Sequence, residues 1–383
     1  MGDCNGSESV PTTRNWLESW VSPLDLPPWM RSFKWIPSSA EDLAAAERTI
    51  LAYLKTQYHG RFVPLSAGFS VNGPDISHAS PRNRIWTVSI NGNLSDTTTP
   101  VVLVHGLGGR LAIWAQNMDA LGHQRTVHAF DLLGFGQSSR PVFGTTAETA
   151  EAQFVDSIEA WRKEMKLSKF ILLGHSLGAY LAASYSLKYP QHIRHLIMVD
   201  PWGLAAGPLN KSQERAQLAK FPLWLRAVAV LLQPFNPFAC LRLAGPWGPN
   251  LIKLCRPDLL RTFSTMTTDE KAIVNYIYHC NAQHPSGESA FKVMTCGFGW
   301  SKNPMYNRMP ALERAIPVTF ICGSESWIDN KVAYAIKDFR NDAVTNVILG
   351  NGSGHHVYAD TAGEFNDIVG RICQNVDEGT KPP

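Results

Sequence analysis

The apolar positions change period several times along the chain. Between residues 38 and 58, Leu43, Ala46, Ile50 and Leu54 recur at steps of three and four, which predicts a helix with one buried face. Ser39 followed by Asp42 marks its start with something close to a capping box. "RFVPLS" and "RIWTVSING" follow as short β-rich segments across a loop of Gly, Asn and Pro. "TPVVLVHG" (99–106) is then a continuous apolar run, which suits a strand covered on both faces of a mostly parallel sheet.

From there strand and helix signals alternate. A helical segment around Trp114, Met118 and Leu121 leads to "RTVHAFDLLG", and the helix 147–167 presents Phe154, Ile158, Trp161 and Met165 on one face. Strand 169–174, helix 177–188 and strand 195–200 continue the rhythm. It stops at 201 and resumes only at "PVTFICG" (317–323), followed by "VTNVILG" (344–350) and the helix 364–376. Such alternation predicts an α/β fold with a parallel sheet and helices on both faces. The interval 201–315, rich in Trp, Pro, Leu and Phe, is predicted to be a helical cap inserted between the sixth and seventh core strands. The chain therefore divides into a Trp-rich segment and helix (1–60), a first core part (61–200), the cap (201–315), a second core part (316–377) and a tail (378–383).

Composition narrows the function classes. The 383 residues include 44% hydrophobic and 17% charged positions, a folded globular balance. The formal net charge of +3, with no long basic run, argues against nucleic acid as the principal partner. Seven scattered cysteines without a C-x-x-C pair read as free thiols in a reducing compartment, and no zinc or redox cluster is expected. No stretch reaches the length of a spanning helix, since Arg226 and two prolines interrupt the best candidate at 221–235. Residues 1–38 carry Trp16, Trp20, Trp29 and Trp35, rings that either pack back onto the domain or sit at a lipid interface. Gly2 and Cys4 are positions where lipidation is conceivable, although Gly6 departs from the myristoylation pattern.

The chemistry concentrates after the fifth predicted strand. Gly174-His175-Ser176-Leu177-Gly178 is a G-x-S-x-G between a strand and a helix, the context that turns this pattern into an exposed nucleophile. A hydroxyl needs a base and an orienting acid, which in this topology follow in the order Ser, acid, His. His355, in "GNGSGHHVYAD" after the last strand, is the expected base. Asp329, after the penultimate strand, is the expected acid; Asp200 and Glu325 stand as alternatives because Ser326 occupies the position three residues after the glycine, where an acid is common. The glycines of "VHGLGG" (104–109) let that loop approach, so the backbone N–H groups of Leu107 and Leu177 are the expected oxyanion donors. "DLLGFGQSSRP" lacks the last glycine of a dinucleotide loop and is given a structural role. His355 and Asp360 also form H-x-x-x-x-D, a spacing associated with glycerolipid acyltransferases; the favoured reading is that Asp360 starts a helix, with Thr361 and Glu364 as a capping box. No cofactor is expected.

On "DLLGFGQSSRP", "GHSLGAYLAASYSLKYP", "VDPWG", "LAGPWGP", "YIYHCNAQHPSGESAFK" and "HHVYAD", the chain resembles an α/β-hydrolase lipid subfamily. That subfamily comprises N-acyl-phospholipid lipases and a lipid-droplet co-activator of a triglyceride lipase. The resemblance implies a serine hydrolase, a lipase or (lyso)phospholipase acting on phospholipid or acylglycerol substrates. The alternative it carries is a droplet co-activator with a partner triglyceride lipase and lysophosphatidic acid acyltransferase activity. In the co-activator branch the nucleophile position is Asn, whereas Ser176 is retained here. The implied location is cytoplasmic and not secreted, peripheral on lipid droplets or on reticulum or mitochondrial membranes, with Trp16, Trp20 and Trp29 as anchors.

Overall fold

The computed structural model describes residues 35–65, 83–92, 98–207, 236–263, 265–267, 269–297, 299–340 and 345–380. Trp16, Trp20 and Trp29, and with them Gly2 and Cys4, lie outside the described residues.

Helix α1 (Ala40–Leu51) begins where expected, Ser39 accepting from the Asp42 N–H, but ends well before residue 58 because Tyr58 already opens a strand. The core strands are β1 (Tyr58–Pro64), β2 (Arg84–Ile90), β3 (Val101–Val104), β4 (Val127–Phe130), β5 (Phe170–His175) and β6 (Ile193–Val199). A small hairpin of β7 (Thr295–Cys296) and β8 (Trp300–Ser301) precedes β9 (Val318–Gly323) and β10 (Thr345–Gly350). The sheet runs β1-β2-β4-β3-β5-β6-β9-β10, antiparallel at β1-β2-β4 and parallel beyond. Both faces are buried. Val101, Leu103, Ile171 and Leu173 feed one core, and Val102, Val104, Phe170 and Leu172 feed the other, as the two-residue period of a strand requires. This is why these strands are apolar without interruption.

One face is covered by α2 (Ala115–Gly122), and the other by α3 (Ala147–Glu164) and α4 (Leu177–Lys188). Between β6 and the hairpin the described chain forms α5 (Ala239–Leu243), α6 (Gly248–Cys255), α7 (Pro257–Thr262), α8 (Glu270–Ala282) and α9 (Ser286–Met294). Of these, α8 and α9 meet the loops that follow β3 and β4, Asn281 at Gly108 and Gly287 at Gly134. Arg242 on α5 meets Glu288 on α9 in a bidentate pair at 2.8 and 3.1 Å, both side chains 5% exposed. Removing either partner would strand the other charge, at a cost of about 3–5 kcal/mol. The chain closes with α10 (Lys331–Phe339), α11 (Val357–Asp360) and α12 (Ala362–Glu378). Among the described residues no helix is long and apolar enough to cross a membrane.

Candidate active site

Ser176 stands between β5 and α4 with φ 54° and ψ −117°, a backbone conformation unfavourable to any residue with a Cβ. Such an elbow persists only where its surroundings hold it. Ser176 N–H extends the ladder to Val199 O at 3.0 Å, while the Ser176 carbonyl accepts from the N–H of Ala179 and of Tyr180. A Cβ on Gly178 would overlap the backbone oxygen of Val104 on β3, so the helix can leave the elbow so close to the sheet only with glycine there. Leu177 N–H heads α4 and has no intrahelical acceptor to reach.

The facing loop is held just as tightly. A Cβ on Gly106 would fall 2.9 Å from Ser176 Cβ and 2.8 Å from His175 Nδ1, which measures how closely the loop approaches. His105 is fully buried; its Nε2 accepts from Leu132 N–H at 3.0 Å, so the proton sits on Nδ1, which donates to Gly106 O at 2.8 Å. Burial, with Arg110 nearby, pulls its pKa down to about 3, so it stays neutral. Because a peptide is planar and trans, turning Gly106 O toward His105 turns Leu107 N–H away to the opposite side. Leu107 lines the cavity there. Arg110 donates to Gly109 O, Cys280 O and Asn281 Oδ1, and Asn281 Nδ2 donates to Gly108 O at 2.9 Å. Cap helix α8 thus braces the loop, a role for Arg110 and Asn281 that no sequence motif announced.

His355 reaches the site from the loop after β10. His175 Nε2–H donates to His355 O at 2.9 Å, tying that loop to the residue immediately before Ser176. Burial, together with His355 and His356, holds His175 well below the ordinary histidine range, so it serves as a neutral donor. The carboxylate hydrogen-bonded to His355 is that of Asp200, not of Asp329. Asp200, 1% exposed at the end of β6 with φ 39°, accepts from His355 Nδ1 at 2.5 Å. Its carboxylate also accepts from Ser326 Oγ at 2.5 Å and from Gly323 N–H at 3.2 Å. Asp329 instead accepts from Lys331 N–H at 3.0 Å at the start of α10, a local turn that occupies its carboxylate. Glu325, the other alternative, borders the cavity mouth. The serine at the usual acid position therefore has a function of its own: Ser326 donates to the carboxylate that arrives from the neighbouring strand.

The capping box expected at residues 361–364 is absent. Thr361 caps α12 by position but its hydroxyl donates to Val357 O, and Asp360 accepts from Gly354 N–H at 2.9 Å and from Thr262 Oγ at 2.6 Å. Asp360 thereby ties the His355 loop to cap helix α7. His356 is also fixed. Arg256 Nη2 can only donate, so His356 Nε2 accepts from it at 3.1 Å, and its Nδ1–H meets Tyr358 Oη at 3.0 Å. Burial and the neighbouring His355 and Arg256 pull the His356 pKa down to about 3.

Ser176, His355 and Leu107 open onto one cavity of about 1350 Å³. Trp202, Phe238, Phe291 and Trp327 supply its aromatic wall, and Arg256, Asp258, Arg261 and Gln116 border its polar end. Trp327 lies over His355 with ring centroids 5.1 Å apart and is 73% exposed. A volume of this size accepts a long acyl chain.

Comparison with known proteins follows the same geometry. A family model for the alpha/beta hydrolase fold matches residues 99–362. The (lyso)-N-acylphosphatidylethanolamine lipase of Homo sapiens is 46% identical over 340 residues, covering 89% of this chain and 94% of that protein. The 1-acylglycerol-3-phosphate O-acyltransferase ABHD5 of Mus musculus is likewise 46% identical over 340 residues, covering 89% of this chain and 91% of its own. Among solved structures, a bacterial membrane phospholipase A superposes with a TM-score of 0.58 at 17% identity, over 88% of this chain and 92% of that one. A putative hydrolase of Bacillus subtilis gives 0.58 at 12% identity, over 87% and 98%, and at such identities both speak to the fold alone. The elbow, the glycine loop and the sheet order thus agree with the sequence matches, and the chain belongs to the α/β-hydrolase fold family, in the lipid branch that holds those lipase and acyltransferase relatives.

Proposed function

We propose that this protein is a serine hydrolase that removes acyl chains from N-acylated phospholipids and lysophospholipids. The observation that carries the reading is the His355–Asp200 hydrogen bond of 2.5 Å beside a strained Ser176, with Ser176 and His355 lining one cavity. Asp200 fixes the proton on His355 Nδ1 and leaves Nε2 as the base. Ser176 Oγ attacks the ester carbonyl carbon as His355 takes its proton. The carbonyl oxygen becomes an oxyanion held by Leu107 and Leu177 N–H, where losing one donor costs about two to three powers of ten in rate. His355 then protonates the departing alcohol oxygen. Water, deprotonated by His355, attacks the Ser176 ester, and His355 returns that proton to Ser176 Oγ as the fatty acid leaves.

The aromatic wall favours an acyl chain, and the relatives named as N-acylphosphatidylethanolamine lipases support the head-group class. A second reading, acyl transfer to the hydroxyl of lysophosphatidate, uses the same Ser176 ester with a different acceptor, and the relatives named as acyltransferases support it. We assign the protein to a peripheral position on a lipid surface, with Trp16, Trp20 and Trp29 as contacts and a triglyceride lipase as the partner if the second branch applies. The test is labelling with a fluorophosphonate probe and mass-spectrometric analysis of products from a mixed phospholipid pool, for wild type and Ser176→Ala. Labelling and turnover that vanish together in the variant are expected. A wild type that neither labels nor turns over lipid overturns the hydrolase reading.

A further inference from the structure

The cavity has two chemically different ends. Trp202 and Phe291, both buried, line its interior, whereas Arg256, between α6 and α7, and Arg261, on α7, are exposed residues at its rim. Resting on the phospholipid reading above, we propose that Arg256 is the subsite for the substrate's phosphate, and that Gln116 Oε1 receives an N–H or O–H donor of the head group.

Arg256 is pre-organised for this task. Its Nε donates to Asp258 Oδ1 at 3.0 Å and its Nη2 to Asp258 Oδ2 at 2.7 Å, so one edge of the guanidinium is clamped. The Nη2 bond to His356 Nε2 sets the plane's direction, and His356 is the chain neighbour of His355, with ring centroids 5.5 Å apart. Only Nη1 has no hydrogen-bond partner among the described residues. A planar fork already held on one edge loses little rotamer freedom when the other edge meets a phosphate oxygen. Of the three acids that line the cavity, Asp258 is paired with Arg256, Asp360 accepts from Gly354 N–H and Thr262, and Glu325 is exposed.

Gln116 supplies the second observation. Its Nε2 must face Thr262 O, which only accepts, and lies 2.8 Å from Thr265 Oγ. Its Oε1 is therefore the atom left over, and that oxygen is buried with no partner. An acceptor left without a partner is costly, and a head-group donor that met it would relieve that cost. The amide N–H of an N-acylated head group and the free hydroxyl of a lysophospholipid both meet that requirement. The placement also suits a lipid: acyl carbon enters the aromatic interior while the phosphate stays at the wet end.

The test uses Ser176→Ala protein, so that binding is read without turnover, and two monomeric probes that differ only in the phosphate, dihexanoylphosphatidic acid and dihexanoylglycerol. Isothermal titration is expected to show at least about tenfold tighter binding of the phosphate-bearing lipid. Adding Arg256→Gln is expected to abolish that preference while dihexanoylglycerol still binds. Equal affinity for both lipids, or a preference that survives Arg256→Gln, overturns the subsite. Inorganic phosphate is titrated in parallel: binding of the free anion with no preference between the two lipids identifies a free-anion site and also overturns it. Because binding is measured without chemistry, absence of hydrolysis in wild type counts against the hydrolase reading and not against this one.

Discussion

Replacing Asp200 by Asn tests the site at one atom. Asp200 accepts from three donors: Gly323 N–H through one oxygen, and Ser326 Oγ and His355 Nδ1 through the other. Asparagine has one oxygen and one NH₂. The Gly323 amide cannot turn, so the oxygen faces it and the NH₂ faces Ser326 and His355. The Ser326 hydroxyl can rotate to accept. His355 can accept at Nδ1 only by carrying its proton on Nε2, the nitrogen that must be the base. The fold should survive, because size and hydrogen bonding are retained, while kcat falls by about 10⁴-fold, the scale of a wrong histidine tautomer in a Ser-His-Asp site. That is about 5.4 kcal/mol of barrier at about 1.36 kcal/mol per decade. Steady-state hydrolysis of N-acylphosphatidylethanolamine in mixed micelles and the rate of fluorophosphonate labelling should drop together, with the melting temperature unchanged. Asp329→Asn, whose carboxylate serves a local turn, should leave both rates as in wild type. Retention of about a tenth or more of the rate in Asp200→Asn, or an equal loss in Asp329→Asn, would refute the reasoning.

Ser176→Gly removes the proposed nucleophile and also the strain of a Cβ at φ 54°. It should gain on the order of 1 kcal/mol of stability; a lower calorimetric melting temperature than wild type contradicts the strained-elbow account. Asp360→Ala should slow labelling of Ser176 by releasing Gly354 N–H and Thr262, and Asp360→Asn, which keeps one acceptor, should recover part of the rate. If Asp360 itself carried out acyl-transfer chemistry, Asn would fail as fully as Ala. Stability should decline as pH falls below about 6.5, where an unfolded histidine takes up a proton. His105 and His356, held down to about 3, and His128 and His195, held down to about 4, refuse that proton while folded. Each then adds a slope approaching about 1.4 kcal/mol per pH unit, with stability rising as pH rises toward neutrality. Glu47 and Asp131, raised chiefly by burial, pull the other way but are fewer. Urea midpoints from pH 7.5 to 5 check the sign, and a flat profile excludes the buried neutral histidines.

The strands were legible because burial on both faces of a parallel sheet leaves its mark residue by residue: "VVLV" and "FILL" admit little else. The elbow was legible for a related reason. G-x-S-x-G between strand and helix is a local backbone requirement, and Gly178 against Val104 O shows the contact behind it. The helical spacing overruns the end of α1 because Leu54 and Tyr58 continue it while belonging to a turn and a strand. Asp360 departs from its local pattern for the opposite reason: Thr361 and Glu364 offer a good local cap, and Gly354 N–H with a distant threonine on α7 takes the carboxylate instead.

What the sequence by itself determined is whatever depends on near neighbours: the order of strands and helices, the serine at its turn, the glycine loop, and a histidine after the last strand. The acid needed the tertiary structure. Asp200 and His355 are 155 residues apart and meet because β6 pairs in parallel with β9 and β9 with β10, bringing the ends of β6 and β10 to one edge of the sheet. Asp329 and Asp200 were comparable as sequence, each an acid after an apolar strand. They differ in which donors surround them, backbone at Lys331 for the one, and Gly323, Ser326 and His355 for the other. Hydrogen bonds between side chains brought together by sheet pairing leave no period and no spacing in a chain, and only the folded arrangement reveals which carboxylate they select.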